Sequence, residues 1–185
     1  KAVNLIHWSN FVQFQGRPAP QMTRRIDPMI SAGLFDLPFD AQIRAGAMMR
    51  HLAQRNLCRG YLLSVPTGQA MAAAMGVVPL LEDDLFDGET AAIKDAISAG
   101  RFQRRTPLWY YVLREGKVQK QGNSLGAVGS RLVAETIVGF IKHDPNSFLN
   151  NLNHTRVTNG GIKVPGRAEP IGTLADMLDY TGVPK

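Results

Sequence analysis

The sequence predicts a mainly α-helical protein, and three observations carry that prediction. Apolar residues recur at helical rather than alternating spacing through most of the chain. Helix-start signals precede several of these runs, at Asp40, at Thr67 and at Thr106-Pro107. No run of alternating apolar and polar residues stands out as a strand. With 185 residues, 44% of them hydrophobic and 19% charged, the chain is long enough and apolar enough to bury a core as one unit.

The elements follow in order. Trp8, Phe11, Val12 and Phe14 form a short aromatic-apolar segment, then a Pro- and Gly-rich loop runs from Gly16 to Pro20. Ile26, Met29, Ile30, Leu34 and Phe35 make a second short element ended by Leu37-Pro38. A long helix is expected from about Asp40, its N-cap, to about Leu63. Pro66-Thr67-Gly68 breaks it, and Thr67 caps a small-residue helix from Gln69 to Met75. Glu82-Asp83-Asp84 and Asp87-Gly88-Glu89 read as an acidic loop, followed by an amphipathic helix from Glu89 to Ala99.

Thr106-Pro107 reads as cap and first helical residue of the next helix, which carries Leu108-Trp109-Tyr110-Tyr111-Val112-Leu113. After Gly122-Asn123-Ser124, the stretch Leu125 to His143 is apolar over most of its circumference and is expected to be a central buried helix. Asp144-Pro145 starts a further turn through Phe148 and Leu149. Asn150 to Glu169 reads as surface loop, and Thr173 to Tyr180 as a closing helix.

The bulk properties set several function classes aside. The net charge is +6, but the basic residues are scattered, with no long Lys/Arg tract and no basic strand interleaved with aromatics. A nucleic-acid partner is therefore the weakest class. Cys58 is the only cysteine, so no internal disulfide and no cysteine-rich zinc site can form. No apolar run is long enough to span a membrane. Lys1 opens in mid-pattern rather than at a methionine, and the simplest expectation is a piece of a longer polypeptide.

The usual catalytic constellations are missing. None of the four histidines, His7, His51, His143 and His154, lies in a metal-binding doublet. His143 reads as a helix-end charge meeting the dipole, and His51 as a solvated residue. No G-x-S-x-G is present, and no matched pair of carboxylates in apolar settings is visible. Gly126 and Gly129 open a helix that could receive a phosphate, although close helix packing explains them equally well. Glu135 pairs with Arg131 one turn away.

Asn56 and Arg59 remain. With Met48, Leu52 and Leu63 they fall on one helical stripe that is otherwise apolar. Burying them unpartnered would cost roughly 1–3 kcal/mol for the amide and more for the charge. A guanidinium suits a carboxylate, and an amide carbonyl can hold an imidazole N–H and strengthen that imidazole as a metal ligand. The alternative is a helix rotated so that Arg55 and Arg59 face solvent.

Asn56-Leu57-Cys58-Arg59-Gly60 resembles the N-x-x-R-G motif of the animal-type haem peroxidases, the peroxidase–cyclooxygenase superfamily. The likeness to the bacterial branch extends over most of the chain. It includes Arg25-Ile26-Asp27-Pro28, Leu34-Phe35-Asp36-Leu37-Pro38 and Arg59-Gly60-Tyr61-Leu62-Leu63-Ser64-Val65-Pro66-Thr67-Gly68-Gln69. Thr106-Pro107-Leu108-Trp109-Tyr110-Tyr111, Leu125-Gly126-Ala127-Val128-Gly129-Ser130-Arg131 and Asp144-Pro145-Asn146-Ser147-Phe148 are similar too. After Gly60 the vertebrate enzymes continue R-D-H-G where this chain has Tyr61-Leu62-Leu63-Ser64, so vertebrate halide chemistry is unsupported.

The resemblance implies that residues 1–185 are the C-terminal part of a single haem peroxidase domain, an iron-dependent oxidoreductase. It implies haem b as cofactor, with any covalent link made by upstream residues, and a calcium-binding loop that also lies upstream. In this scheme Asn56 accepts a hydrogen bond from the proximal histidine and Arg59 pairs with a haem propionate. No histidine of this chain matches the proximal or distal one, so the upstream polypeptide is the expected partner, with hydrogen peroxide and an electron donor as substrates. Family members are often exported, which leans the setting towards periplasm or exterior. Two alternatives stand beside this: a haem-dependent fatty-acid dioxygenase of the same superfamily, and a cofactor-free helical interaction module with Asn56 and Arg59 exposed.

Overall fold

The structure, a computed structural model, describes residues 6–37, 50–147, 149–150, 157–158 and 161–183. It is mainly helical, as the spacing predicts. Seven α-helices lie among the described residues: α1 Leu52–Leu62, α2 Gly68–Ala74, α3 Glu82–Phe86, α4 Ala91–Ala99, α5 Leu108–Lys120, α6 Ala127–His143 and α7 Leu174–Tyr180. The only strands among them are β1 Val157–Thr158 and β2 Gly161–Ile162, paired antiparallel with Val157 opposite Ile162. Contacts divide the chain into two compact units, Arg25–Thr136 and Lys1–Arg24 with Ile137–Lys185.

In the Arg25–Thr136 unit, α5 is the element on which α1 and α2 pack. Its core joins Ala72, Leu80, Leu85, Tyr111 and Val128, flanked by Met71, Met75, Val77, Leu108 and Val118. Small residues let α2 approach closely. A Cβ on Gly68 would fall inside the Tyr111 side chain, so glycine is required there by space rather than by backbone angle. Tyr111 spans the core and its hydroxyl oxygen accepts the Leu80 N–H at 2.9 Å.

Gln69 and Thr106 clamp the starts of α2 and α5 together. Gln69 Nε2 donates to Thr106 Oγ1 at 2.8 Å, and the Thr106 N–H donates to Gln69 Oε1 at 3.0 Å. Thr106 Oγ1 in turn donates to the Phe102 carbonyl at 2.6 Å. Thr106 is therefore not the cap of α5: Pro107 occupies the N-cap position, and the threonine hydroxyl is spent on the clamp.

Other expectations are corrected. Asp40 and most of the first half of the long helix lie outside the described residues, and the continuous helix to Leu63 is broken at His51, an extended N-cap for α1. The Glu82-Asp83-Asp84 loop is the short helix α3, because Asp84 accepts the Leu81 N–H and all three acids sit in the first turn, where the dipole favours them. The Asn150 to Glu169 loop contains the β1–β2 hairpin, extended by a bridge between Ile162 and Ile171. The turn expected from Asp144-Pro145 is present through Ser147, whose N–H is bonded to the Asp144 carbonyl, and Phe148 lies outside the described residues.

The largest correction concerns α6. Val128 and Gly129 are its only buried residues, whereas Val133, Ile137, Val138 and Phe140 are exposed, Phe140 by 74%. An all-round apolar pattern predicts burial only if the chain supplies neighbours on every side. The described residues supply them at the N-terminal turn alone.

In the unit formed by Lys1–Arg24 with Ile137–Lys185, Phe14 and Leu178 are buried. Helix α7 starts with a capping box: Thr173 Oγ1 accepts from the Asp176 N–H, and Asp176 accepts from the Thr173 N–H. The Asp176 carboxyl lies below its ordinary pKa, chiefly through the Thr173 hydroxyl and then the Gly172 and Thr173 N–H groups. A depressed folded-state pKa contributes stability that is present above the unfolded value and lost as pH falls through the folded one. Amide exchange in the first turn of α7 is expected to quicken as Asp176 protonates, and in Asp176→Asn to show no such acid step.

Candidate functional site

Helix α1 is built by two end signals. His51 Nδ1 accepts the Gln54 N–H at 3.4 Å, and its ring lies 4.9 Å from that of Phe35, so it is a cap rather than a solvated bystander. At the other end Ser64 takes a left-handed φ of 53° and the Val65 N–H reaches back to the Gly60 carbonyl. Between them Asn56 is half-buried and Arg59 exposed. The expected buried stripe is thereby corrected: α1 buries no residue fully, Leu63 is exposed, and Met48 lies outside the described residues. A helix packed on α5 through one side leaves its remaining faces open.

That open side forms a wall of an apolar groove of about 1610 Å³, wholly within the Arg25–Thr136 unit. Asn56 and Arg59 both line it, with Leu63 from the α1 end, Ile93 and Ile97 from α4, and Trp109, Tyr110 and Val112 from α5. Tyr61, Leu62, Leu63 and Phe102 are exposed large apolar side chains on its lining. Among the described residues its charged members are Arg59, Arg101 and Arg105, and none of its described lining residues is an aspartate or glutamate. Among the described residues these three arginines make no ion pair. Arg50, Arg104, Arg114, Arg131 and Arg167 are each paired with a carboxylate.

Arg101 is held there at the expense of backbone comfort. Helix α4 ends with the Phe102 N–H bonded to the Ile97 carbonyl at 2.8 Å, a closure that needs one left-handed residue. Gly100 precedes it, yet Arg101 carries the φ of 53° while Gly100 is right-handed at −79°. A Cβ on Gly100 would strike the Phe102 ring, so the glycine serves packing. Arg101→Gly is expected to raise the unfolding free energy by about 1 kcal/mol, since a left-handed non-glycine residue costs roughly 1–2 kcal/mol. Urea denaturation measures it.

Behind the groove wall lies a buried charge network that the residue pattern did not single out. Arg114 has no solvent exposure. Its Nη1 meets Glu89 Oε1 at 2.8 Å, its Nε donates to the Asp84 carbonyl at 2.7 Å, and its Nη2 donates to the Asp87 carbonyl. Glu115, also fully buried, accepts the Val128 and Gly129 N–H groups at 3.0 Å. The first turn of α6 thus carries an internal carboxylate, and the phosphate reading of Gly126 and Gly129 is replaced by close packing, of Gly126 against Glu115 and of Gly129 against Val112. The available signal was two adjacent charges, Arg114 and Glu115, one turn beyond the apolar Tyr111.

Tyr110 connects this network to the groove. Its hydroxyl is buried and has no partner among the described residues. Burial first, and the Glu89 charge second, push its pKa up, so the phenol keeps its proton and remains a donor.

Among the described residues no cluster of three or more His, Cys, Asp or Glu could hold a metal ion. His143 Nδ1 lies 2.8 Å from the Gly139 carbonyl at the end of α6, the helix-end position expected of it, and His154 lies outside the described residues. Nor is any helix among them long and apolar enough to cross a membrane. No protein family, curated protein or solved structure matches the chain.

Proposed function

We propose that this chain is the proximal-side, C-terminal portion of a haem peroxidase and acts together with an upstream polypeptide of the same enzyme. One observation supports it above the rest. Asn56 and Arg59 line the same apolar groove, whose charged residues among the described ones are arginines. Haem b is a flat apolar macrocycle with two carboxylates, and this donor set fits it: apolar walls for the ring, guanidinium groups for the propionates. Bound there, haem would supply the reduction of hydrogen peroxide coupled to oxidation of a donor.

The chain's own residues bind, orient and exclude water. Asn56 accepts the N–H of an imidazole brought by the upstream polypeptide, fixing its tautomer and strengthening its donation to iron. Arg59 holds a propionate by charge-assisted hydrogen bonds. The exposed apolar side chains of α6 support the need for a further polypeptide, because such surface is ordinarily covered. The peroxide-cleaving residues belong to that upstream part.

In the complete enzyme, Asn56→Ala should retain haem but lower peroxidase turnover by roughly tenfold or more, the usual effect of removing such a support. Unchanged turnover would count against the role of Asn56.

A further inference from the structure

We infer that α4 is a movable wall of the groove, which swings inward to cover the occupant and shut water out. The inference rests on the haem reading for its occupant, and on the packing of α4 for its motion. Helix α4 and its C-cap place Ile93, Ala96, Ile97 and Gly100 at i, i+3, i+4 and i+7, on one stripe. That stripe lines the groove, while Lys94, Asp95 and Ser98 make an exposed polar outer face that does not. An apolar helical stripe is ordinarily covered by a core. Here Ile97 is the only buried residue of α4, and Ile93 is 36% exposed. Helix α1 also lines the groove but packs on α5, and α4 makes no comparable helix packing among the described residues.

The ends of α4, by contrast, are held. Glu89, just before it, is paired with the buried Arg114, and after it the Phe102 N–H closes on the Ile97 carbonyl. A left-handed residue stands beside each end, Gly88 with φ 66° and Arg101 with φ 53°. A Cβ on Gly88 would meet open space, so this glycine serves the turn and not packing. A few such turn residues suffice to absorb the backbone change of a moving element.

The space itself argues for closure. A groove of about 1610 Å³ exceeds the roughly 300–1,000 Å³ of a small-molecule site. A flat occupant therefore leaves part of it to water unless a wall moves. Inward motion of α4 covers its own apolar stripe and the face of the occupant in one step. Moving elements are drawn from the least packed parts of a fold, and α4 is one of them.

The test is amide hydrogen exchange of the 185-residue chain, free and with haemin plus free imidazole, beside a titration followed by the Soret band. In the free chain the α4 amides should exchange well ahead of those of α5. With haemin bound they should slow by about tenfold or more, which reports the closure. Ile93→Ser should weaken haemin binding about tenfold, through the apolar burial that closure no longer gains. Its urea midpoint should stay near the parent's, because Ile93 is already partly exposed in the free chain. Lys94→Ala, on the outer face, should match the parent in both readings.

Saturable haemin binding with α4 exchange unchanged, or with Ile93→Ser binding like the parent, would overturn the movable wall and leave the haem reading intact. Protection of α4 equal to that of α5 in the free chain would overturn it too, since the helix would already be packed. Haemin that gives no saturable Soret change would overturn the haem reading, and the closure with it.

Discussion

Arg114→Leu is expected to destabilise the Arg25–Thr136 unit by about 3–5 kcal/mol, the effect of removing one partner of a buried ion pair. Arg114 has no exposure, and Glu89 is 7% exposed at its side chain. Removing the guanidinium strands the Glu89 carboxylate and leaves the Asp84 and Asp87 carbonyls without the donor that meets them. Lys117, 3.7 Å from Glu89 and partly exposed, recovers only a fraction. Since domains are stable by about 5–15 kcal/mol, the variant should sit near its unfolding limit. Urea unfolding measures the loss. The double variant Arg114→Leu/Glu89→Leu should lose less than Arg114→Leu alone, because no unpaired charge remains. A loss under about 1 kcal/mol for the single variant would show that Glu89 is solvated.

Gly68→Ala should be damaging for so small a substitution, costing about 1–3 kcal/mol or more through overpacking. The added methyl would occupy the place of the Tyr111 ring. Tyr111 has little room to yield: it is fully buried, and its hydroxyl is tied to the Leu80 N–H. Shifting α2 instead would strain the Gln69–Thr106 clamp. Gly139→Ala is the control, a helical glycine with open space around it, expected to raise stability by roughly 0.5–1 kcal/mol. A thermal melt of the two variants should move in opposite directions. Equal shifts would mean that α2 does not pack on Tyr111 as described.

What could be read from the sequence was local. Thr67 capping α2, the run that becomes α4, the apolar stretch that becomes α6, and Thr173 opening α7 are all signals contained within a few residues. Burial was less legible. The apolar circumference of α6 signals what should be covered, and cannot show that its neighbours are lacking among the described residues. Long-range pairings were not legible at all: Gln69 meets Thr106 across 37 positions, and Arg114 meets Glu89 across 25. Thr106 illustrates the consequence. Its sequence context is that of a cap, and a distant glutamine turns it into a clamp.

The site was half legible. Asn56 and Arg59 stood out as polar residues on an apolar stripe, and both line the groove. Their burial was overestimated, because the stripe was read as facing the core when it faces the groove. Arg101 and Arg105 were invisible, since nothing local distinguishes them from the paired Arg104.

Trp109 lines the groove, which allows its occupancy to be measured directly. In a Trp8→Phe background Trp109 is the only indole, and haemin quenches indole fluorescence at short range. Titration with haemin and imidazole should give saturable quenching at one haem per chain, weakened in Arg59→Leu. Quenching that does not saturate, or that is indifferent to Arg59, would contradict haem binding in the Asn56–Arg59 groove.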